Sequence, residues 1–376
     1  MGSASMRAVG FQDLYVKRVT PEAAGAVALT FDVPAALQDS FQFEPGQFIT
    51  LRTALNGVDV RRSYSICSSR KQLLRHAEIA VGVRPIVDGL FSNWVAKDVR
   101  QGDVISVMPP DGRFVIKRPQ AIHRVAFAAG SGITPILSII ATTLEEQANA
   151  KFTLIYGNRR LSSVMFNEAL QDLKDRYPDR FTLLHILSQQ MQEVDLLQGR
   201  IDAEKVKRLT ASLLPVASMD EVFVCGPEAM IESVTRTLVD CGLSEKRIHS
   251  ERFYAQGSAA ESTARKAVTV DKHTTTATST STAKKNNLSL MVDGKTHELT
   301  IDRGSLVLDS ALDAGLDVPF SCKAGVCSTC RCLVMAGTVT MDKNFTLDQD
   351  EIDRGYVLSC QARATSEAVT LDFDQR

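Results

Sequence analysis

The chain has 376 residues, 44% of them apolar and 23% charged, with a formal net charge of −1 and a pI of about 6.6. It is too long for one ordinary core, so two or three domains are expected, and its composition is that of a globular protein. The near-neutral balance excludes the electrostatic footprint of a nucleic-acid or anionic-membrane binder. The opening MGSASMRAVG has neither the apolar core of a secretion signal nor an arginine-rich amphipathic pattern. It reads as a tag ahead of a start at Met6. The most apolar window, Val125 to Ala141, is broken by Gly130, Ser131, Gly132 and Pro135 and is short for a membrane span. A soluble, cytoplasmic chain is expected.

Up to about residue 120 the chain shows short alternating runs separated by turn residues: GAVALTFDVP, GQFITL, RSYSIC, HAEIAVGV and DVISVM. That pattern predicts an antiparallel β-barrel. One helix is expected within it, over Gly89–Val99. The strand RRSYSIC carries Arg62-Ser63-Tyr64-Ser65. An arginine offers paired donors to a pyrophosphate. A tyrosine offers a flat face to a ring system, and a serine hydroxyl can bond a ring nitrogen. The same four residues also suit a half-exposed β surface. Downstream, Gly89 and Ser92 open the expected helix, and a helix N-terminus with small residues suits phosphate. A plain N-cap by Asp88 or Ser92 is the bland alternative.

Together these stretches resemble the R-x-Y-S strand and phosphate-binding helix of the ferredoxin–NADP reductase superfamily. The resemblance implies a flavin, FAD rather than FMN, held by Arg62, Ser63, Tyr64, Ser65, Val81, Val83, Gly89, Phe91 and Ser92. It assigns Tyr64 and Ser65 to the reacting face.

From Ile122 the period changes to buried strands alternating with amphipathic helices, through IHRVAFAAG, ITPILSIIATTLEEQA, FTLIYGN, VMFNEALQDLKDRY, RFTLLHILS, DAEKVKRLTASLL, DEVFVCG and PEAMIESVTRTLVDCG. This is the signature of a doubly wound parallel sheet, expected over 121–256. In AAGSGITP, Gly130 and Gly132 allow a tight turn and close backbone approach to a pyrophosphate before a helix. VCGPEAM stands at another strand end before a helix. In the superfamily these two stretches flank the nicotinamide. The resemblance therefore assigns Gly130, Gly132, Thr134, Gly226, Pro227 and Met230 to the dinucleotide and Cys225 to the hydride-transfer site. After FTLIYGN come Arg159, Arg160 and Ser163, with no acidic residue before Glu168. A ribose diol is usually held by a carboxylate and a 2′-phosphate by arginine, so NADPH is expected rather than NADH. Relatives often carry a hydroxyl where Arg160 stands, and an exposed loop with solvated arginines remains the alternative. In HSERFYA, Glu251 and Phe253 are assigned by the resemblance to the flavin face; an edge strand leading into a linker is the other reading.

Residues 257–287 are rich in Ser, Thr, Ala and Lys and poor in large apolar residues, which predicts a flexible linker with at most a short strand at KAVTV. The region 288–376 then carries five of the eight cysteines. Without a secretion signal a disulfide framework is not expected. Cys322, Cys327 and Cys330 in one loop, with Cys360 far downstream, match the four-then-two spacing of a plant-type [2Fe–2S] cluster. Zinc would want paired C-x2-C knuckles or histidines, and the closest histidine is His297. Cys332 can also replace Cys330 as a ligand, but is better read as a buried strand cysteine. CKAGVCSTCRCLV with GYVLSCQA resembles a plant-type ferredoxin of β-grasp, α+β architecture, with MVDGKTHELTI as a hairpin and SLVLDSALDAGLDVPFSC as the helix entering the loop.

The order flavin barrel, nicotinamide domain, linker, ferredoxin is similar to that of oxygenase reductases. RRSYSIC, AAGSGITPILSIIATTL, FTLIYGNRR, DLLQGRID, CGPEAM and GYVLSCQA resemble most the reductase components of phenylacetyl-CoA ring epoxidases. The resemblance implies electron flow from NADPH through FAD and the cluster to a di-iron oxygenase acting in phenylacetate degradation. A tethered ferredoxin would keep a high effective concentration, on the order of millimolar. A reductase for another aromatic or steroid ring oxygenase, a stand-alone electron carrier and a zinc-stabilised interaction protein are the alternatives.

Overall fold

The computed structural model describes residues 10–253, 268–272 and 285–375. The chain divides into two compact units, one up to Phe253 and one after it, except that Arg61–Ser63 group with the second. The first unit opens with a six-stranded antiparallel sheet of β1 (Gln12–Pro21), β2 (Val27–Asp32), β3 (Phe48–Leu55), β4 (Val58–Ser65), β5 (Glu78–Val83) and β6 (Val104–Asp111), in the order β4-β3-β6-β1-β2-β5. Beyond β4, Ile66 bridges Val81 of β5, and the Cys67 amide donates to the Ala80 carbonyl at 2.8 Å. Those bonds link the two edges, as a barrel requires. Leu14, Leu29, Phe31, Ile49, Leu51, Val81 and Val107 fill its interior.

Two helices accompany the barrel rather than one. Besides α2 (Leu90–Lys97), inside the predicted span, α1 occupies Arg70–His76. It is capped by the Ser69 hydroxyl, which accepts from the Gln72 amide. β1 also had no place among the predicted strands.

The same unit continues through β7 (His123–Ala129), α3 (Ile133–Glu146), β8 (Lys151–Asn158), α4 (Asn167–Arg176), β9 (Phe181–Leu187), α5 (Ala203–Ser212), β10 (Glu221–Gly226), α6 (Glu228–Asp240) and β11 (Ile248–Arg252). All five strands are parallel, in the order β11-β10-β7-β8-β9. Side chains alternate across the sheet. Phe223 and Cys225 join the core that includes Ile136 and Ile140 of α3, whereas Val222 and Val224 join the core that includes Val206 of α5 and Val234 of α6. Buried on both faces, these strands read as continuous apolar runs. From β7 the chain runs first to β8 on one side and later returns to β10 on the other. The turns after β7 and β10 therefore lie side by side at a topological switch point, where open α/β sheets bind ligands.

The second unit holds β12 (Val268–Lys272), β13 (Lys285–Val292), β14 (Lys295–Asp302), α7 (Val307–Asp313), β15 (Arg331–Met341), α8 (Gln349–Arg354), β16 (Tyr356–Leu358), β17 (Ala362–Ala364) and β18 (Ala368–Asp372). The sheet order is β12-β15-β18-β13-β14, with β16 and β17 also paired to β15. The β13–β14 hairpin turns through Asp293 and Gly294, both at positive φ, the two-residue turn that suits twisted strands. Val307, Leu308 and Ala311 of α7 are buried in this unit's core. β12 falls within the stretch read as linker and pairs with β15, and β13 begins at Lys285, ahead of the predicted boundary. The rest of residues 257–284 lies outside the described residues.

Candidate functional site

β4 ends in Arg62-Ser63-Tyr64-Ser65, and α2 begins at Leu90. The two are joined by aromatic contact. The Tyr64 ring lies 5.9 Å from that of Phe91, and Phe91 meets Trp94 edge-on at 5.3 Å. Arg62 Nη1 donates to the Arg61 carbonyl at 2.7 Å. The N-cap of α2 is Gly89, with no side-chain cap, so the first amides have no side-chain acceptor. A Cβ on Gly89 would collide with Ile86 and the Ser92 hydroxyl. That hydroxyl accepts from the Ile86 amide at 3.3 Å and donates to the Gly89 carbonyl at 3.4 Å, so it shapes the loop. Val81 and Val83 are fully buried, which leaves their backbone as what they offer a ligand.

Ser65, buried at the end of β4, donates to Glu251 Oε2 at 3.2 Å. Glu251 lies on β11 in register with Cys225 of β10. The structure thus brings together three of the four residues assigned to chemistry. Burial pushes the Glu251 carboxyl up to about 8, against a smaller lowering by the Ser65 hydroxyl. Burial and then the Glu251 charge raise the Cys225 thiol well above its ordinary value. At neutral pH this is a protonated carboxyl beside a hydroxyl and an un-ionised thiol. An aromatic wall, an uncapped helix start and a hydroxyl–carboxyl pair fit a flavin with its phosphates. Phe253, the last described residue of this unit, is exposed.

At the switch point Gly130 has φ +54°, and its carbonyl accepts from the Tyr156 hydroxyl at 2.9 Å. The Thr134 hydroxyl donates to the Ser131 carbonyl at 3.0 Å. A Cβ on Gly132 would overlap the Cys225 carbonyl, and one on Gly226 would collide with Met230 Cε. Pro227 is the N-cap residue of α6. The two turns are backbone against backbone, and α3 starts without a side-chain cap, a fit for a dinucleotide pyrophosphate. Sequence reasoning missed Arg84. It follows β5, and its Nη1 would lie 3.1 Å from a Cβ on Gly130. A basic residue directly after EIAVGV was the available signal.

Arg159 and Arg160 are exposed at the carboxyl end of β8. The Ser163 hydroxyl donates to the Arg160 carbonyl at 2.7 Å and accepts from its amide at 3.2 Å, so it closes the local turn. The loop carrying the arginines is further tied by the Gln189 amide to the Arg159 carbonyl at 2.8 Å.

In the second unit the four cysteine sulfurs of the predicted cluster form two hydrogen-bonded pairs, Cys322 with Cys327 and Cys330 with Cys360. Two thiolates per iron is what a binuclear cluster takes. Among the described residues no three His, Cys, Asp or Glu side chains close around one ion. The loop is shaped by Lys323, Gly325 and Ser328, all at positive φ. The Ala324 amide donates to Cys322 Sγ at 3.3 Å. Donation from Cys327, helped by amides of Ala324, Val326 and Cys327 and opposed by burial, brings the Cys322 thiol down to about 6. Cys327 and Cys330 go the other way: their hydrogen bonds to Cys322 and Cys360, and then burial, raise both thiols well above the ordinary value. Ser321 and Ser359, preceding Cys322 and Cys360 of the predicted set, have buried hydroxyls with no partner among the described residues, which fits an acceptor-rich group beside them. The Ser359 amide donates to the Cys330 carbonyl at 3.0 Å, drawing Cys360 to the loop. Cys332 is fully buried on β15, opposite Val357 of β16. Arg331, also missed by sequence reasoning, pairs with the buried Glu351 at 2.5 Å and lies over the Tyr356 ring.

Three family models match the chain. They are the oxidoreductase FAD-binding domain over residues 6–116, the oxidoreductase NAD-binding domain over 127–236, and the 2Fe-2S iron-sulfur cluster binding domain over 290–365. Along its length the chain is 42% identical to one component chain of the 1,2-phenylacetyl-CoA epoxidase of Escherichia coli (strain K12), covering 97% of this chain and 98% of that one. It is 34% identical to the ferredoxin reductase component of 3-ketosteroid-9-alpha-monooxygenase from Rhodococcus rhodochrous, over 96% of each. The fold is shared with phthalate dioxygenase reductase, at a TM-score of 0.58 and 21% identity, over 96% of this chain and 98% of that one.

Proposed function

The chain belongs to the FAD-, NAD- and [2Fe–2S]-binding reductase components of multicomponent oxygenases, and from that premise we propose that it carries electrons from NADPH to a di-iron oxygenase that epoxidises the ring of phenylacetyl-CoA. The observation that carries this reading is the 42% identity, end to end, with a component chain of a phenylacetyl-CoA epoxidase. Bound FAD and the cluster supply the conversion of a two-electron hydride into single electrons.

The residues of this chain bind, orient and shield. The α3 amides and Arg84 face the dinucleotide phosphates at the Gly130 turn, where Gly132 and Gly226 let the backbone approach. Arg159 and Arg160 hold the 2′-phosphate. Tyr64 and Phe91 form the apolar wall along the flavin, and the uncapped start of α2 with Arg62 receives its pyrophosphate. Glu251 keeps a proton at its carboxyl beside Ser65, and the buried Cys225 thiol keeps water out of the same corner. Cys322, Cys327, Cys330 and Cys360 would hold the cluster, two thiolates to each iron. The setting is the cytoplasm, where NADPH and coenzyme A thioesters occur together.

The test is reconstitution with a purified phenylacetyl-CoA oxygenase. NADPH oxidation should become coupled to conversion of phenylacetyl-CoA, and Arg159→Ala should raise KM for NADPH roughly tenfold or more while leaving NADH unchanged. Normal reduction of an artificial acceptor without oxygenase turnover would remove the proposed partner, and coupling to a 3-ketosteroid oxygenase instead would reassign it. Equal effects of Arg159→Ala on both nucleotides would remove the 2′-phosphate role.

A further inference from the structure

The loop that supplies three cluster ligands and the segment that supplies the fourth are far apart in sequence, and one side chain spans them. Gln361 follows Cys360 and is buried, 7% exposed. Its Nε2 donates to the Lys323 carbonyl at 3.1 Å and to the Cys360 carbonyl at 2.9 Å, and lies 3.6 Å from Cys360 Sγ. Carbonyls only accept, so two of them determine which end of the amide is nitrogen; the reversed amide would set oxygen against oxygen. The side-chain stem covers the loop as well. A Cβ on Gly325 would come within 3.1 Å of Gln361 Cγ. The backbone of Gln361 is itself anchored, its amide donating to Leu358 at 2.8 Å and its carbonyl accepting from Asp342 at 2.9 Å. A rigid backbone thus aims one N–H group at Lys323, beside Cys322, and the other at Cys360, where its carbonyl and its Sγ share it.

We propose that Gln361 is the positioning residue of the cluster: its amide clamps the Cys322 end of the loop to the Cys360 segment and sets the reduction potential by pointing an N–H dipole at Cys360 Sγ. A donor at a ligand sulfur stabilises the electron-richer reduced state and raises the potential. The role concerns the cluster-holding unit alone and rests on reading this loop as the cluster cradle.

The test compares the full-length protein with Gln361→Met, which keeps the shape and removes the donor, and Gln361→Asn, which keeps the donor and withdraws it by one methylene. Midpoint potentials are read from an EPR-monitored titration and loop clamping from iron release to a chelator. Both variants should be harder to reduce, Met more than Asn. The Met variant's reduction equilibrium should fall three- to tenfold, about 30–60 mV for one electron. Iron release should quicken about tenfold in the same order, as expected for a lost supporting bond at a metal ligand. Bleaching of the flavin by NADPH should be unchanged. Either variant carrying its cluster at the parent potential overturns the proposal, whatever the other does. An unaltered protein without an iron–sulfur spectrum would instead overturn the reading of the loop.

Discussion

Gly132 has no room for a side chain, because a Cβ there would overlap the carbonyl of Cys225 on the neighbouring turn. The G-x-G pattern was visible in the sequence, but its partner was not; only the sheet order brings residues 132 and 225 together. Glu251 is a similar case. Its sequence context is an ordinary HSERFYA, and its altered acidity comes from enclosure beside Ser65. The sign of the effect follows from linkage. The folded carboxyl keeps its proton up to about 8, whereas its ordinary value is 4.5. Between those values the native state binds a proton that the unfolded chain releases, so stability falls as pH rises through this window. Glu251→Gln should therefore flatten the melting temperature between pH 5 and 8. It should also abolish the decline in hydride-transfer rate expected as pH rises past about 8, read by stopped-flow flavin bleaching. A variant whose two profiles match the parent would sink the proton-holding role. Gln361 and Arg84 were illegible for a related reason: each is a common polar residue whose meaning lies in what it faces.

Among the elements, β7, β10 and β11 share a buried polar knot. Arg124 Nε donates to Glu221 Oε2 at 3.1 Å, and both side chains are fully buried. The guanidinium also reaches Gln147 at 2.7 Å and the Arg118 carbonyl at 2.7 Å. Glu221 Oε1 accepts from the amides of Lys117 at 2.7 Å and Arg118 at 3.1 Å and contacts His249 Nε2 at 3.1 Å. Burial alone would raise the Glu221 carboxyl, yet His249, the Lys117 amide and Arg124 hold it below its ordinary value. The knot ties the segment between barrel and sheet to the sheet itself. Arg124→Met should cost about 3–5 kcal/mol, because it strands a buried carboxylate, and Arg124→Met/Glu221→Leu should recover much of that. The urea midpoint for flavin release measures both; equal losses in the single and double variants would contradict the account. Nothing in DEVFVCG or IHRVAFAAG announced this pairing. The long periodic elements were legible because burial on two faces writes continuous apolar runs. β1 was not, with only Leu14 and Val16 buried between polar neighbours. Nor was α1, seven residues long and with Leu73 alone buried.

At the scale of the molecule, the chain sets two sites in its first unit and one in its second. Replacing Cys360 by serine should separate them. The variant should lack the cluster spectrum, keep NADPH-driven flavin bleaching, and lose electron delivery to the oxygenase. A retained cluster would mean that Cys332 or another ligand takes over; the place of Cys332 opposite Val357 inside the β15–β16 pairing opposes the first. No helix among the described residues is long and apolar enough to cross a membrane. The sequence by itself determined the order of the three sheets, the cysteine spacing, and the glycine turns that follow buried strands. These depend on neighbours within a few residues, on periodicity and on the conformational freedom of glycine. Only the tertiary structure decided that the β7 and β10 turns touch, that Ser65 meets Glu251, that β12 joins the C-terminal sheet, and that Gln361 spans the cluster loop. Each of those depends on strand order and on what a polar group finds once buried, and neither is encoded in any local stretch of residues.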